Sequence, residues 1–214
     1  MQVTSASEGQ ARLALASASP RRLALLEQIG LKPDEVIASD IDETPLRDER
    51  PRQLALRLSV SKGRAARERL GSTTTPAFHS FIMSADTVVA VGRRVLPKAE
   101  VEAEARACLD LLSGRTHDVI TAVVVLAADG REASRVVESR VTFKRLARTE
   151  VEGYIASGEW KGKAGGYAIQ GIAGGFVTRM SGSYSAVVGL PLYESASLLE
   201  GLGYPVARRW SART

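Results

Sequence analysis

Two long runs rich in β-branched residues, 116–127 and 132–143, joined through Ala128-Asp129-Gly130, constrain this chain more than any other feature. An Asp-Gly step between such runs is a strong hairpin signal, so the fold needs a sheet that can take a long antiparallel pair. The flanking segments alternate in period. Residues 13–16 read as a short apolar strand. Ser19 is a natural N-cap and Pro20 the favoured first residue of a helix that reaches Ile29 and ends at Gly30. Arg and Leu at helical spacing follow over 51–69, then a strand over 81–91 that turns at Gly92 and returns through Val95. A helix over 99–112 stops at Ser113-Gly114. Beyond the hairpin lie a helix over 149–157, a stretch with eight glycines between 162 and 189, and an amphipathic helix over 191–202. With no repeat or linker, this alternation predicts one α/β unit with two lobes around a cleft.

The chain has 214 residues, 44% of them hydrophobic and 25% charged, which is enough to bury a core. These values exclude a mostly disordered chain, a disulfide-stapled mini-protein and a fibrous repeat. The net charge of +5 is partly terminal: Arg208, Arg209 and Arg213 stand in the last ten residues with no acid, leaving +2 (5 − 3) for the rest. No basic aromatic sheet motif accompanies the charge, so nucleic acid is not expected as a partner. The single cysteine, Cys108, forbids an internal disulfide and reads as a small buried residue. Two histidines, His79 and His117, are too few for a His/Cys zinc site. No apolar run nears the ~20 residues needed to span a membrane. Residues 1–10 lack a signal-peptide core, so the expected location is the cytoplasm. Arginine outnumbers lysine 23 to 6, which makes each lysine a candidate for a compact point contact to phosphate.

Four stretches carry chemistry. In Ala16-Ser17-Ala18-Ser19-Pro20-Arg21-Arg22 a strand turns into a helix with two arginines in its first turn. Cations are unfavourable at the positive end of a helix dipole, and an anion there reverses that sign. Ser17, Arg21 and Arg22 are therefore phosphate-binding candidates. In Ser84-Ala85-Asp86-Thr87-Val88-Val89 a carboxylate interrupts an apolar strand, where it must be paired, metal-bound or facing a cleft. Lys98 follows shortly after. The loop Asp40-Ile41-Asp42-Glu43-Thr44 reads more readily as a solvated acidic turn than as a metal-holding loop, and Lys62 as a solvated helix charge. Finally, Trp160-Lys161-Gly162-Lys163-Ala164-Gly165-Gly166-Tyr167-Ala168-Ile169-Gln170-Gly171 lets backbone approach a ligand closely, with Gln170 able to read a base edge. No Gly-x-x-x-x-Gly-Lys-Ser/Thr loop is present.

These segments, with Leu112-Ser113-Gly114-Arg115-Thr116-His117 and Gly182-Ser183-Tyr184-Ser185-Ala186-Val187-Val188-Gly189-Leu190-Pro191, occur in an order and at a spacing that resembles the Maf family of nucleoside triphosphate pyrophosphatases over residues 13–204. The resemblance implies an inosine triphosphate pyrophosphatase-like fold: a long mixed twisted sheet with flanking helices and two lobes around a central cleft. It implies hydrolysis between the α- and β-phosphates with a divalent cation (Mg, Mn or Co). By matching position, Asp86 corresponds to the catalytic carboxylate, and Glu43 with Asp86 to the metal site. Lys62 and Lys98 correspond to the phosphate pocket, and Arg21 and Arg22 to the triphosphate-binding arginines. Arg21, Thr87 and Gln170 correspond to positions linked to base choice in the branch that prefers dTTP and UTP. The pattern departs from the family at Pro97-Lys98-Ala99, where the lysine follows the proline.

The expected organisation is a flexible segment over 1–12, a single domain over 13–204 and a basic tail over 205–214. The expected partner is a nucleoside triphosphate, and a homodimer is left open. Two alternatives stand beside this reading: a 7-methyl-GTP or broad modified-nucleotide pyrophosphatase, and a non-catalytic nucleotide-binding regulator of cell division.

Overall fold

A computed structural model describes residues 11–71 and 80–211. His79, residues 1–10 of the expected N-terminal segment and residues 212–214 of the expected tail lie outside the described residues.

In chain order the elements are β1 (Arg12–Ala16), α1 (Pro20–Gln28), β2 (Glu35–Val36), α2 (Pro51–Gly71), β3 (Ser80–Val91), β4 (Arg94–Leu96), β5 (Lys98–Ala99) and α3 (Glu102–Leu112). They continue with β6 (Thr116–Leu126), β7 (Glu132–Phe143), α4 (Arg148–Ser157), β8 (Lys163–Ala164), a 3-10 turn (Ile172–Phe176), β9 (Val177–Ser181), α5 (Tyr184–Val188), α6 (Leu192–Gly201) and α7 (Val206–Ser211). The main sheet has the order β2-β1-β3-β6-β7-β9, with β4 folded back on the end of β3. Its β1–β2 and β1–β3 pairings are parallel and the others antiparallel, so the sheet is mixed as expected. The β6–β7 hairpin runs eleven register pairs, from Thr116 opposite Thr142 to Leu126 opposite Glu132.

Helix α2 covers one face alone, with Leu54, Ala55, Leu58 and Ala66 against Ile82, Val88, Ala122, Val124 and Leu126. The other face carries the larger core, in which side chains of α1, α3, α4, α6 and α7 meet Met83, Ala85, Val89, Val119, Val123 and Val125. No described helix is long and apolar enough to cross a membrane.

The structure corrects three boundaries. The helix expected over 99–112 begins only at Glu102, because Lys98–Ala99 pairs across the chain with Lys163–Ala164. That long-range ladder leaves no trace in local periodicity. Within the expected tail, residues 206–211 form α7. Val206 is buried, Arg209 donates to the Ala11 carbonyl and the Trp210 indole donates to the Ile29 carbonyl. At the other end, Arg12 already pairs with Ser80 as the first residue of β1.

Helix α2 sits unusually close to β3. Ser59 Oγ donates to the Ser84 carbonyl at 3.2 Å, and Ser84 Oγ donates to the Ser59 carbonyl at 2.7 Å. One turn on, a Cβ added at Gly63 would stand 2.9 Å from Ser84 Oγ and 3.2 Å from Leu126 Cδ1. Glycine is what permits this approach, and it lies next to Lys62. Gly63→Val should therefore lift α2 off the sheet and lower stability by about 1–3 kcal/mol, the usual cost of overpacking. Urea unfolding of the variant beside the parent protein measures it.

Candidate active site

β1 ends at Ala16, opposite Ser84, whereas β3 continues to Val91. Past the end of β1, the flank of β3 between Ser84 and Val89, where β4 begins to pair, is left for a cleft, at the point where the chain leaves β1 for α1. Parallel strands with neighbours on both sides place ligands at such carboxyl ends. Strand alternation then sends Asp86 and Thr87 to opposite faces of the sheet. Asp86 points to the α2 side, and Thr87 to the side of α5.

On the α2 face, three segments meet at one ammonium. Lys62 Nζ lies 2.5 Å from Asp86 Oδ1 and 2.6 Å from Glu43 Oε1, and Lys98 Nζ pairs with Glu43 Oε2. Asp86 is 1% exposed and Lys62 6%. The sequence reading of Lys62 as a solvated helix charge is therefore overturned. The signal was present in the spacing: Leu54, Ala55, Leu58 and Ala66 define the buried stripe of α2, and position 62 falls on it. Glu43 likewise is not part of a wholly solvated turn. Asp42 folds back to accept from the Thr44 amide at 2.9 Å, whereas Glu43 turns into the cleft. Burial pushes the Glu43 carboxyl up, but hydrogen bonds from Lys62 and Lys98 outweigh it and hold the group below the usual glutamate range.

On the other face, Arg22 is gripped before any ligand arrives. Its Nε donates to the Gly189 carbonyl at 2.8 Å, Nη1 to Ser17 Oγ at 3.1 Å and Nη2 to Thr87 Oγ1 at 3.4 Å. Arg21 Nε reaches the Val188 carbonyl at 3.4 Å. The unfavourable placement of two cations at the start of α1 is thus relieved in part by backbone carbonyls at the end of α5. Burial still pulls both guanidinium groups below their ordinary value. For Arg21 the neighbouring Arg22 adds to the fall; for Arg22 the carboxylates of Asp86 and Glu43 oppose it. Lys163 is lowered by burial and then by Arg21. Both hydrogen bonds of the Ser17 hydroxyl, from Arg22 and from the Ser19 amide, are accepted, so its own hydrogen is left to donate. Ser19 stands at the N-cap position of α1 but makes no side-chain cap bond.

Three adjoining compartments hold all nine candidate residues. A cavity of about 340 Å³ is lined by Ser17, Arg21, Arg22, Glu43, Lys62 and Lys98, with Lys161 and Lys163. A slot of about 60 Å³ adds Thr87, Val89, Val119, Tyr167 and Gln170. A third space of about 350 Å³ lies beside Asp86 and Glu43, over Leu54, Leu58 and Leu96. Lys98 borders all three. Among the described residues no group of three His, Cys, Asp or Glu side chains could hold a metal ion. The donor set still suits a hard cation that completes its shell with substrate phosphates and water. Magnesium commonly takes one or two protein carboxylates, and Glu43 and Asp86 supply two around a single ammonium.

Gln170 is exposed at the end of a buried run, Gly165 to Ile169. Tyr154 Oη accepts from the Ala168 amide at 3.2 Å, a Glu159 carboxylate oxygen accepts from the Ile172 amide at 2.8 Å, and Tyr167 Oη bonds His117 Nε2 at 2.8 Å. Sequence reasoning missed these anchors, and it missed Thr121 beside Thr87, because strand register and loop docking bring them together.

A profile of the family described as Maf-like protein matches residues 12–202. A protein of Caulobacter vibrioides named dTTP/UTP pyrophosphatase is 60% identical over 192 residues, 90% of this chain and 96% of that protein. One of the same name from Mesorhizobium japonicum is 55% identical over 199 residues, covering 93% and 95%. Among solved structures, a HAM1 protein from Coxiella burnetii is 15% identical, with a TM-score of 0.43 over 64% of this chain and 75% of that one.

His117 gives the site's support a pH signature. It is 1% exposed, edge-on to Phe143 and Tyr167, and burial pulls its pKa down to about 4. An unfolded imidazole protonates near 6.5, so the neutral ring's contribution is complete above that pH and drains away as pH falls towards 4. The loss is up to about 3 kcal/mol. Urea unfolding between pH 7.5 and 4.5 should show a flatter stability profile for His117→Gln than for the parent.

Proposed function

The chain belongs to the Maf family, and from that membership we propose that it is a nucleoside triphosphate pyrophosphatase, cleaving the α–β phosphate bond of dTTP and UTP to give the nucleoside monophosphate and pyrophosphate. The observation that carries this reading is the division of one cleft into a carboxylate-and-cation end and a narrow slot bordered by Thr87 and Gln170. Thr87 and Gln170 bring a hydroxyl and a carboxamide to that slot, groups able to read the edge of a base. The names carried by the Caulobacter and Mesorhizobium relatives support the same base choice.

In this reading the triphosphate lies along Ser17, Arg21, Arg22, Lys62, Lys98 and Lys163. With Lys161, six cations less the two carboxylates Glu43 and Asp86 leave +4 at the site (6 − 2). A triphosphate brings about four negative charges near neutral pH, and a divalent cation held by Glu43 and Asp86 would offset the charge these two carboxylates subtract. When bound, that cation supplies charge neutralisation and polarises the phosphoryl oxygens. Arg21 and Arg22 hold the phosphates in one register through fixed forks, which lowers the entropy to be lost on the way to reaction. Asp86, buried and fixed by Lys62, orients the attacking water and takes its proton. Lys62 and Lys98 offset the charge that builds on the departing pyrophosphate as the bridging bond breaks.

Steady-state hydrolysis of a nucleotide panel with magnesium, read as released pyrophosphate, tests the reading. Asp86→Asn should remain folded and lose about 10²–10⁴-fold in turnover. A fully active Asn variant removes Asp86 from the chemistry, and activity that survives complete chelation removes the cation. In the same panel Gln170→Glu should change the ranking of bases more than the rate on the preferred one. An unchanged ranking takes Gln170 out of base selection.

A further inference from the structure

Thr121 lies on β6 directly opposite Thr87 on β3, fully buried and behind the slot rather than in its wall. Its Oγ1 is 2.7 Å from the Ala186 carbonyl oxygen and 3.0 Å from Thr87 Oγ1. A carbonyl has no hydrogen to give, and a hydroxyl has one. Thr121 must spend its hydrogen on Ala186, so towards Thr87 it can only accept. The single hydrogen of Thr87 is then committed to Thr121. Arg22 Nη2, the other polar neighbour of Thr87 Oγ1, is a donor without a lone pair, which agrees with this direction. Thr87 therefore faces the slot as a hydrogen-bond acceptor only, with its polarity set by a residue that touches no ligand.

We propose that Thr121 is a positioning residue for base selection: by fixing Thr87 as an acceptor, it favours a pyrimidine that presents a ring N–H over one that presents a ring-nitrogen lone pair. Uracil and thymine carry a hydrogen on N3 and cytosine carries a lone pair there, so the chain Ala186–Thr121–Thr87 discriminates against cytosine nucleotides. The proposal rests on the dTTP and UTP reading above. A rejected base leaves two lone pairs facing each other in a half-buried slot, the kind of mismatch that polar sites use to discriminate strongly.

The test compares kcat/KM for UTP, dTTP, CTP and dCTP in the parent enzyme, Thr121→Val and Thr121→Ser. Valine keeps the shape of threonine but frees the Thr87 hydroxyl to turn its hydrogen into the slot. The ratio of uracil and thymine over cytosine nucleotides should fall about tenfold, mostly through improved KM for CTP and dCTP. Thr121→Ser should keep the parent ratio. Should valine not fold there, Thr121→Ala carries the same expectation. Thr87→Val should narrow the ratio by itself, and adding Thr121→Val to it should narrow it no further, since both act through one hydroxyl. A folded Thr121→Val enzyme with the parent ratio overturns the proposal, as does an equal loss on all four nucleotides, which marks a structural role. A parent enzyme that turns over CTP as readily as UTP overturns the dTTP and UTP preference itself, and the proposal with it.

Discussion

One ammonium group holds the site together. Lys62 of α2 bridges Glu43 from the loop after β2 and Asp86 from the middle of β3, three segments with no local reason to meet. Two carboxylates brought this close to each other and away from water repel, and each loses hydration. A shared cation with short contacts to both makes the arrangement tolerable, and removing one partner of a buried pair such as Lys62–Asp86 typically costs about 3–5 kcal/mol. The same repulsion suits the pair to a divalent ion. The apolar environment that makes them costly to expose to one another also strengthens their hold on a cation.

This contact depends on how closely α2 can approach the sheet. The reciprocal Ser59–Ser84 hydrogen bonds and the missing side chain at Gly63 bring the helix backbone against β3, which puts Lys62 within reach of Asp86. Packing and chemistry are thus one feature: the helix that seals one face of the core also delivers the cation.

The geometry of β3 divides the labour. Adjacent residues of a strand point to opposite faces, so Asp86 and Thr87 share a backbone but not a compartment. Asp86 with Lys62 and Glu43 lies on the α2 face, and Thr87 with Thr121 lies on the α5 face. Arg22 spans the two, bonded to Thr87 and to Gly189 while sensing the field of Asp86 and Glu43. The glycine-rich loop brings Gln170 to the same slot on anchors from Tyr154, Glu159 and His117.

Much of this was legible in the residues. The Asp-Gly hairpin, the strand–turn–helix at Ser17 to Arg22, an acid in an apolar strand and the ordered motifs were enough to place the fold class and to nominate nine residues, all of which border the cleft. Local signals carried that far because hairpin turns, helix starts and strand periods are encoded within a few neighbours. What local spacing left undecided was partnership. Lys62 looked solvated, Lys98–Ala99 looked helical, and residues 206–211 looked like a tail, until the pairing with Glu43 and Asp86, the ladder to β8 and the docking of α7 assigned them otherwise. Thr121 is the clearest case. Nothing in a run of β-branched residues says which one stands opposite Thr87, because register is set by the whole sheet. Sequence by itself determined which groups the site has to work with. Only the tertiary structure decided which of them touch, because burial and register, not spacing, determine where a charge or a hydroxyl finds its partner.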